Sequence, residues 1–163
     1  ALAQLPSYVS VIAEPGRFIS GPSMTSVSTV MGKAVRAGMH WYYLDDGVYG
    51  SFSGQLFDHV RYPLEVFANE GPVRPSVLAG PTCDSIDVIA EDIPMPDLPL
   101  GTIVVGHMMG AYTVASATEF NSLKKAKVVV QNRRETPGIA FPLPEHFTST
   151  MGTIPARRRR VIH

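Results

Sequence analysis

Cysteine is nearly absent from this chain: of 163 residues, one is Cys83. A single thiol excludes an internal disulfide framework and leaves two roles, a small buried hydrophobe or a reactive group. It also points to a reducing compartment, with the cytoplasm as the default. Net charge is absent too, with 14 Lys and Arg against 14 Asp and Glu. Nothing global therefore directs the chain to nucleic acid or to a membrane surface. No apolar run is long enough to span a bilayer, and no signal-peptide pattern opens the sequence. Lysine is scarce, with only Lys33, Lys124, Lys125 and Lys127. The one basic run, Arg157-Arg158-Arg159-Arg160, reads as a solvated tail. What is plentiful is Gly and Pro, 14 of each, which argues against a helical bundle and for many turns.

The length suits one domain with a substantial core and no internal repeat. Ala1-Leu2-Ala3-Gln4-Leu5 reads as the end of a helix already under way. Residues 8–13 form a short apolar run rich in β-branched side chains, expected as a buried strand that stops at Glu14-Pro15-Gly16-Arg17. Val27, Val30, Met31 and Ala34 share a helical spacing, against a background of Ser and Thr that weakens it. From Trp41 onward the pattern is β. Strands are expected over 41–44, 64–67, 76–79, 102–105, 112–115 and 127–131, with a hairpin signal at Asp45-Asp46-Gly47. Pro94-Met95-Pro96-Asp97-Leu98-Pro99 is excluded from a central strand. The fold class is mainly β, a barrel or sandwich.

The lone cysteine lies in Gly80-Pro81-Thr82-Cys83-Asp84-Ser85-Ile86-Asp87, where Gly-Pro ahead and Asp-Ser behind indicate a loop. A thiol beside a carboxylate on a loop trades protons with a bound substrate; the alternative is a small residue that fills space. In Glu14-Pro15-Gly16-Arg17 the glycine allows close backbone approach, and the arginine fork matches phosphate oxygens. Glu14 is suited to pair with a cationic ring nitrogen; the alternative is an ordinary turn with a surface ion pair. Gly110-Ala111-Tyr112-Thr113 is a small-residue turn whose tyrosine hydroxyl would reach a phosphate, or a strand edge. Asp46-Gly47-Val48-Tyr49-Gly50-Ser51-Phe52 is an aromatic, glycine-rich turn, and Asp58-His59 follows it.

Together and in this order these motifs, with Tyr43-Leu44-Asp45 ahead of the aromatic turn and Phe120-Asn121 at the end, resemble the C-terminal part of the pyridoxal-phosphate-dependent decarboxylases of the alanine-racemase-like fold (fold type III). Within these, the resemblance is strongest to ornithine and lysine/ornithine decarboxylases. It runs from about Val11 to about Val130. It implies a C-terminal β-domain over 41–135, preceded over 1–40 by a remnant of the (β/α)8 barrel and followed over 136–163 by an irregular tail. Glu14 would pair with the pyridine nitrogen of pyridoxal 5'-phosphate, while Gly16, Arg17 and Tyr112 would hold its phosphate. Asp58 and Asp84 would bind the distal ammonium of a diamino acid, and Tyr49 and Phe120 would line its pocket. Cys83 would be the acid that protonates the α-carbon after carbon dioxide leaves. No metal is implied.

The resemblance also implies a homodimer in which the Cys-Asp loop enters the neighbouring subunit's site. Relatives acting on diaminopimelate carry Glu after the cysteine; Asp84 therefore ranks ornithine or lysine first, with arginine below. The family's Schiff-base lysine belongs to the N-terminal barrel half. None of the four lysines here lies in an apolar strand that would depress an amine's pKa, so these residues are expected to be inactive without that half. A non-catalytic regulatory homologue that keeps the fold is the alternative.

Overall fold

The computed structural model describes residues 4–68, 71–131 and 160–162. The start of the expected helix end (1–3) and most of the expected tail lie outside them. The architecture is mainly β, as expected: one seven-stranded sheet with short helical turns. The strands are β1 (Ser26–Arg36), β2 (Met39–Leu44), β3 (Leu64–Phe67), β4 (Arg74–Ala79), β5 (Val88–Met95), β6 (Ile103–Gly106) and β7 (Arg160–Ile162). Their order is β5-β4-β2-β1-β6-β3-β7. All neighbours are antiparallel except β2 and β4.

β1 organises the sheet. Its first residues, Ser26 to Thr29, pair with β6, and its later ones pair with β2. A bulge between Val30 and Gly32 separates the two halves and lets the strand bend from one to the other. This segment is therefore a strand, not the helix suggested by Val27, Val30, Met31 and Ala34. Thr and Val favour the pleated surface, and those four apolar side chains share no face: Val30 is buried while Val27 and Met31 are exposed. The sheet thus begins ahead of residue 41. β1 returns into β2 through Ala37-Gly38, both at positive φ (49° and 81°), the conformation a two-residue hairpin turn requires.

Asp46-Gly47 does not make a hairpin. The Asp46 Oδ1 instead accepts from the Gly47 and Ser51 amides, winding the chain into turns that lead to helix α2 (Gly54–Phe57). β5 is a strand that its Glu91, Asp92 and Pro94 conceal. It lies at the sheet edge, where proline is tolerated, and bulges at Asp92 (φ 53°).

Three expected strands are absent. Residues 8–13 are an exposed loop, with Tyr8 and Ile12 at 87% and 86% exposure, because no described strand offers them a ladder. Residues 112–115 instead hold the short helix α3 (Thr113–Ser116), and 127–131 are irregular. The core under the sheet is Tyr42, Leu44, Val48, Phe52, Leu78, Met95, Leu98 and Val104 with their neighbours. It anchors the loops after β2, β4 and β6, which carry most of the candidate site. Among the described residues no helix is long and apolar enough to cross a membrane.

Candidate active site

The structure gathers the candidate residues into two groups. The first forms where the loop after residue 13 meets the turn after β6. Gly110 permits this meeting: a Cβ there would overlap the Ser20 carbonyl oxygen, and its amide donates to the Gly21 carbonyl at 2.9 Å. Tyr112 follows in the left-handed conformation (φ 65°), which costs a non-glycine residue about 1–2 kcal/mol. Its carbonyl is fixed by the Ser116 amide and hydroxyl, each at 2.8 Å. The backbone reversal explains why 112–115 is not a strand, and it brings the Tyr112 hydroxyl over Gly16, 3.5 Å from where a Cβ would stand.

Arg17, at the start of helix α1 (Arg17–Ser20), lies 5.6 Å from the Tyr112 ring centroid and donates from Nη2 to Asp58 Oδ2 at 2.6 Å. Two residues assigned to different ends of the cofactor and substrate thus share one ion pair. The pair is partly exposed, so its worth as a stabilising contact is small. Arg17 Nη1 and the hydroxyl of Tyr62 are both buried, and they interact with each other. Burial pushes the Tyr62 phenol above its ordinary range, and the hydrogen bond with Arg17, then its positive charge, partly offset this. Tyr62 packs edge-on against Phe52, centroids 5.9 Å apart. No motif marks Tyr62 in the sequence. Glu14 is exposed on the loop ahead of Gly16.

The second group joins the aromatic turn, the cysteine loop and the segment around Phe120. The Tyr49 hydroxyl donates to Asp84 Oδ2 at 2.5 Å, and its ring stacks on Phe120 with centroids 4.2 Å apart. Cys83 is exposed, and Asn121 Nδ2 donates to its Sγ at 3.6 Å. The Tyr49 hydrogen bond, helped by the Ile86 amide, holds the Asp84 carboxyl below the usual carboxylate range. The same bond to an anion pushes the Tyr49 phenol up to about 12.

The signs fix a pH dependence. Asp84 is depressed, so the Tyr49–Asp84 bond is complete above the ordinary carboxylate range and is lost as pH falls through the lowered value. At the alkaline end it persists until Tyr49 ionises near pH 12. Tyr49→Phe should let the Asp84 pKa climb back toward its ordinary value, read by a carbon-13 carboxyl titration. An Asp84 titration unmoved by the substitution would deny the coupling.

Chemically, the second group presents an ionised carboxylate, a thiol and an aromatic wall. The first presents a guanidinium, a tyrosine hydroxyl and exposed glycine backbone. Residues 18–110 match the family described as "Pyridoxal-dependent decarboxylase, C-terminal sheet domain". The chain belongs to this family. Among curated relatives, the lysine/ornithine decarboxylase of Selenomonas ruminantium is 42% identical over 121 residues, spanning 74% of this chain and 30% of that protein. The chloroplastic ornithine decarboxylase of Nicotiana glutinosa is 37% identical over 131 residues, with the same 74% and 30% spans. A solved lysine/ornithine decarboxylase from Vibrio vulnificus, complexed with cadaverine, is 57% identical with a TM-score of 0.73, covering 81% of this chain and 36% of that one. The chain therefore spans about a third of the length of these decarboxylases.

Proposed function

We propose that this chain is the sheet part of a pyridoxal-phosphate-dependent decarboxylase that converts ornithine or lysine to the diamine, in polyamine biosynthesis. The barrel half, with its Schiff-base lysine, is supplied by the rest of the protein, and the residues ahead of β1 join the two. The observation that carries this reading is the Tyr49–Asp84 pair beside Cys83: a carboxylate kept ionised next to a thiol, under an aromatic wall.

The cofactor fits the first group. The exposed Gly16 backbone lies under the Tyr112 hydroxyl, 3.5 Å from where a Cβ would stand, with the Arg17 guanidinium beside that ring, and these donors would suit a phosphate. Glu14 would keep the pyridine nitrogen protonated. When bound, the cofactor supplies the electron sink that accepts the charge left by the departing carboxylate.

This chain's residues do the rest. Asp84 holds the distal ammonium and fixes the substrate end-on, joined by Asp58 of the other group once Arg17 exchanges its ion pair with Asp58 for the phosphate. Tyr49 and Phe120 cover the methylene chain and exclude water. Cys83 holds the proton on Sγ, with Asn121 beside it, and delivers it to the α-carbon. Two acids facing the far end of the substrate favour an ammonium over a carboxylate there, so diaminopimelate ranks below ornithine and lysine. Between those two, one methylene is worth only about 1–3 kcal/mol. The site is shared across a homodimer, and a reducing cytoplasm suits the lone thiol.

The test is turnover by the full-length protein purified with cofactor. Ornithine or lysine should release carbon dioxide and diamine in equal amounts. No carbon dioxide from either would overturn the reading.

A further inference from the structure

Asp87 has no role in the site described above, yet it is the most enclosed acid near it, at 2% exposure. Its Oδ1 accepts from the Val48 amide at 2.9 Å, and its Oδ2 accepts from the Thr82 amide at 3.0 Å. Val48 adjoins Tyr49, and Thr82 adjoins Cys83. One carboxylate thus ties the aromatic turn to the cysteine loop, using both oxygens on backbone donors.

The surroundings are shaped to admit it. A Cβ on Gly47 would strike the Asp87 carboxylate and stand 2.8 Å from the Gly80 Cα, and a Cβ on Gly80 would strike the carboxylate as well. The loop closes around the same residue, since the Gly80 amide donates to the Asp87 carbonyl at 2.8 Å and the Asp87 amide to the Asp84 carbonyl at 3.1 Å.

We propose that Asp87 is a positioning residue for the decarboxylation: it sets the spacing between Tyr49 and the Cys83–Asp84 pair, and through it both the grip on the substrate ammonium and the aim of the thiol. The inference rests on the decarboxylase reading. A carboxylate suits the task because an acceptor-only group answers two backbone donors at once. An amide of the same shape does not, since its NH2 would face one of the two N–H groups.

The experiment uses the complete cofactor-loaded enzyme carrying Asp87→Asn. The variant should raise KM for the diamino acid and lower kcat on the order of 10²-fold, the scale expected when reacting groups shift by about 1 Å. Diamine should fall short of carbon dioxide. Amide hydrogen exchange, measured on the folded fraction, should speed up at Val48 or Thr82. Asp97→Asn is the matched control. It removes an exposed ion pair to Lys33, 3.1 Å away, and should leave KM and the product ratio unchanged.

Equal products, unchanged KM and unchanged exchange in folded Asp87→Asn would overturn the inference, and so would a loss of thermal stability alone. An inactive wild-type enzyme would instead contradict the decarboxylase reading, and the exchange measurement would still decide whether Asp87 ties the loops.

Discussion

Cys83→Ala in the complete enzyme should leave cofactor binding intact while diamine formation drops about 10²–10⁴-fold, the usual share of a general acid. The thiol stands on an exposed loop that a separate residue, Asp87, fixes in place, so removing Sγ costs the loop only the long Asn121 contact at 3.6 Å. Arg17, Gly16 and Tyr112 belong to the other group, and the substitution does not touch them. What is lost is the proton poised for one carbon. Without that aim the proton would reach a cofactor carbon instead, the product would leave as an aldehyde with its amino nitrogen kept by the cofactor, and carbon dioxide release would exceed diamine and then fade unless fresh cofactor is supplied. The measurement is carbon dioxide and diamine followed together. Equal amounts at the wild-type rate would return Cys83 to a residue that fills a loop.

The strands legible in the sequence are those whose pattern is local. Residues 41–44, 64–67, 76–79 and 102–105 are compact β-branched or aromatic runs bounded by turn formers, and each falls on a strand. The errors come from features that only tertiary structure supplies. β1 hides behind serine and threonine because its bulge breaks the alternation at Val30–Gly32. β5 hides behind Glu91, Asp92 and Pro94, which an edge strand accepts and a central one rejects. Residues 8–13 have strand composition, but a ladder needs a neighbour, and the described sheet offers none. Tyr112 reverses the chain because Gly110 packs on Ser20, a contact between segments far apart in sequence.

The site divides the same way. Cys83, Asp84, Tyr49 and Phe120 stand in motifs, so their chemistry is readable. That Tyr49 donates to Asp84 across 35 residues, and Arg17 to Asp58 across 41, is set by the fold. Asp87 left no functional signal because it works on backbone amides, which every sequence has. Tyr62 carries no local signal for a related reason: its place beside Arg17 depends on the burial of its hydroxyl over Gly54.

Mixing two crippled enzymes tests most directly whether the two groups are halves of one site shared between subunits. Arg17→Ala disables the cofactor end, and Cys83→Ala disables the acid. If each site draws Arg17 from one subunit and Cys83 from the other, a mixed dimer holds one intact site and one doubly damaged site. Random reassociation of equal amounts makes about half the dimers mixed, so activity should return to about a quarter of wild type in a two-fold symmetric assembly. Each variant alone should stay far below that. Recovery to about a quarter of the wild-type diamine yield is the expected result. A mixture no more active than the average of the two variants would place Arg17 and Cys83 of one chain in the same site and contradict the shared arrangement.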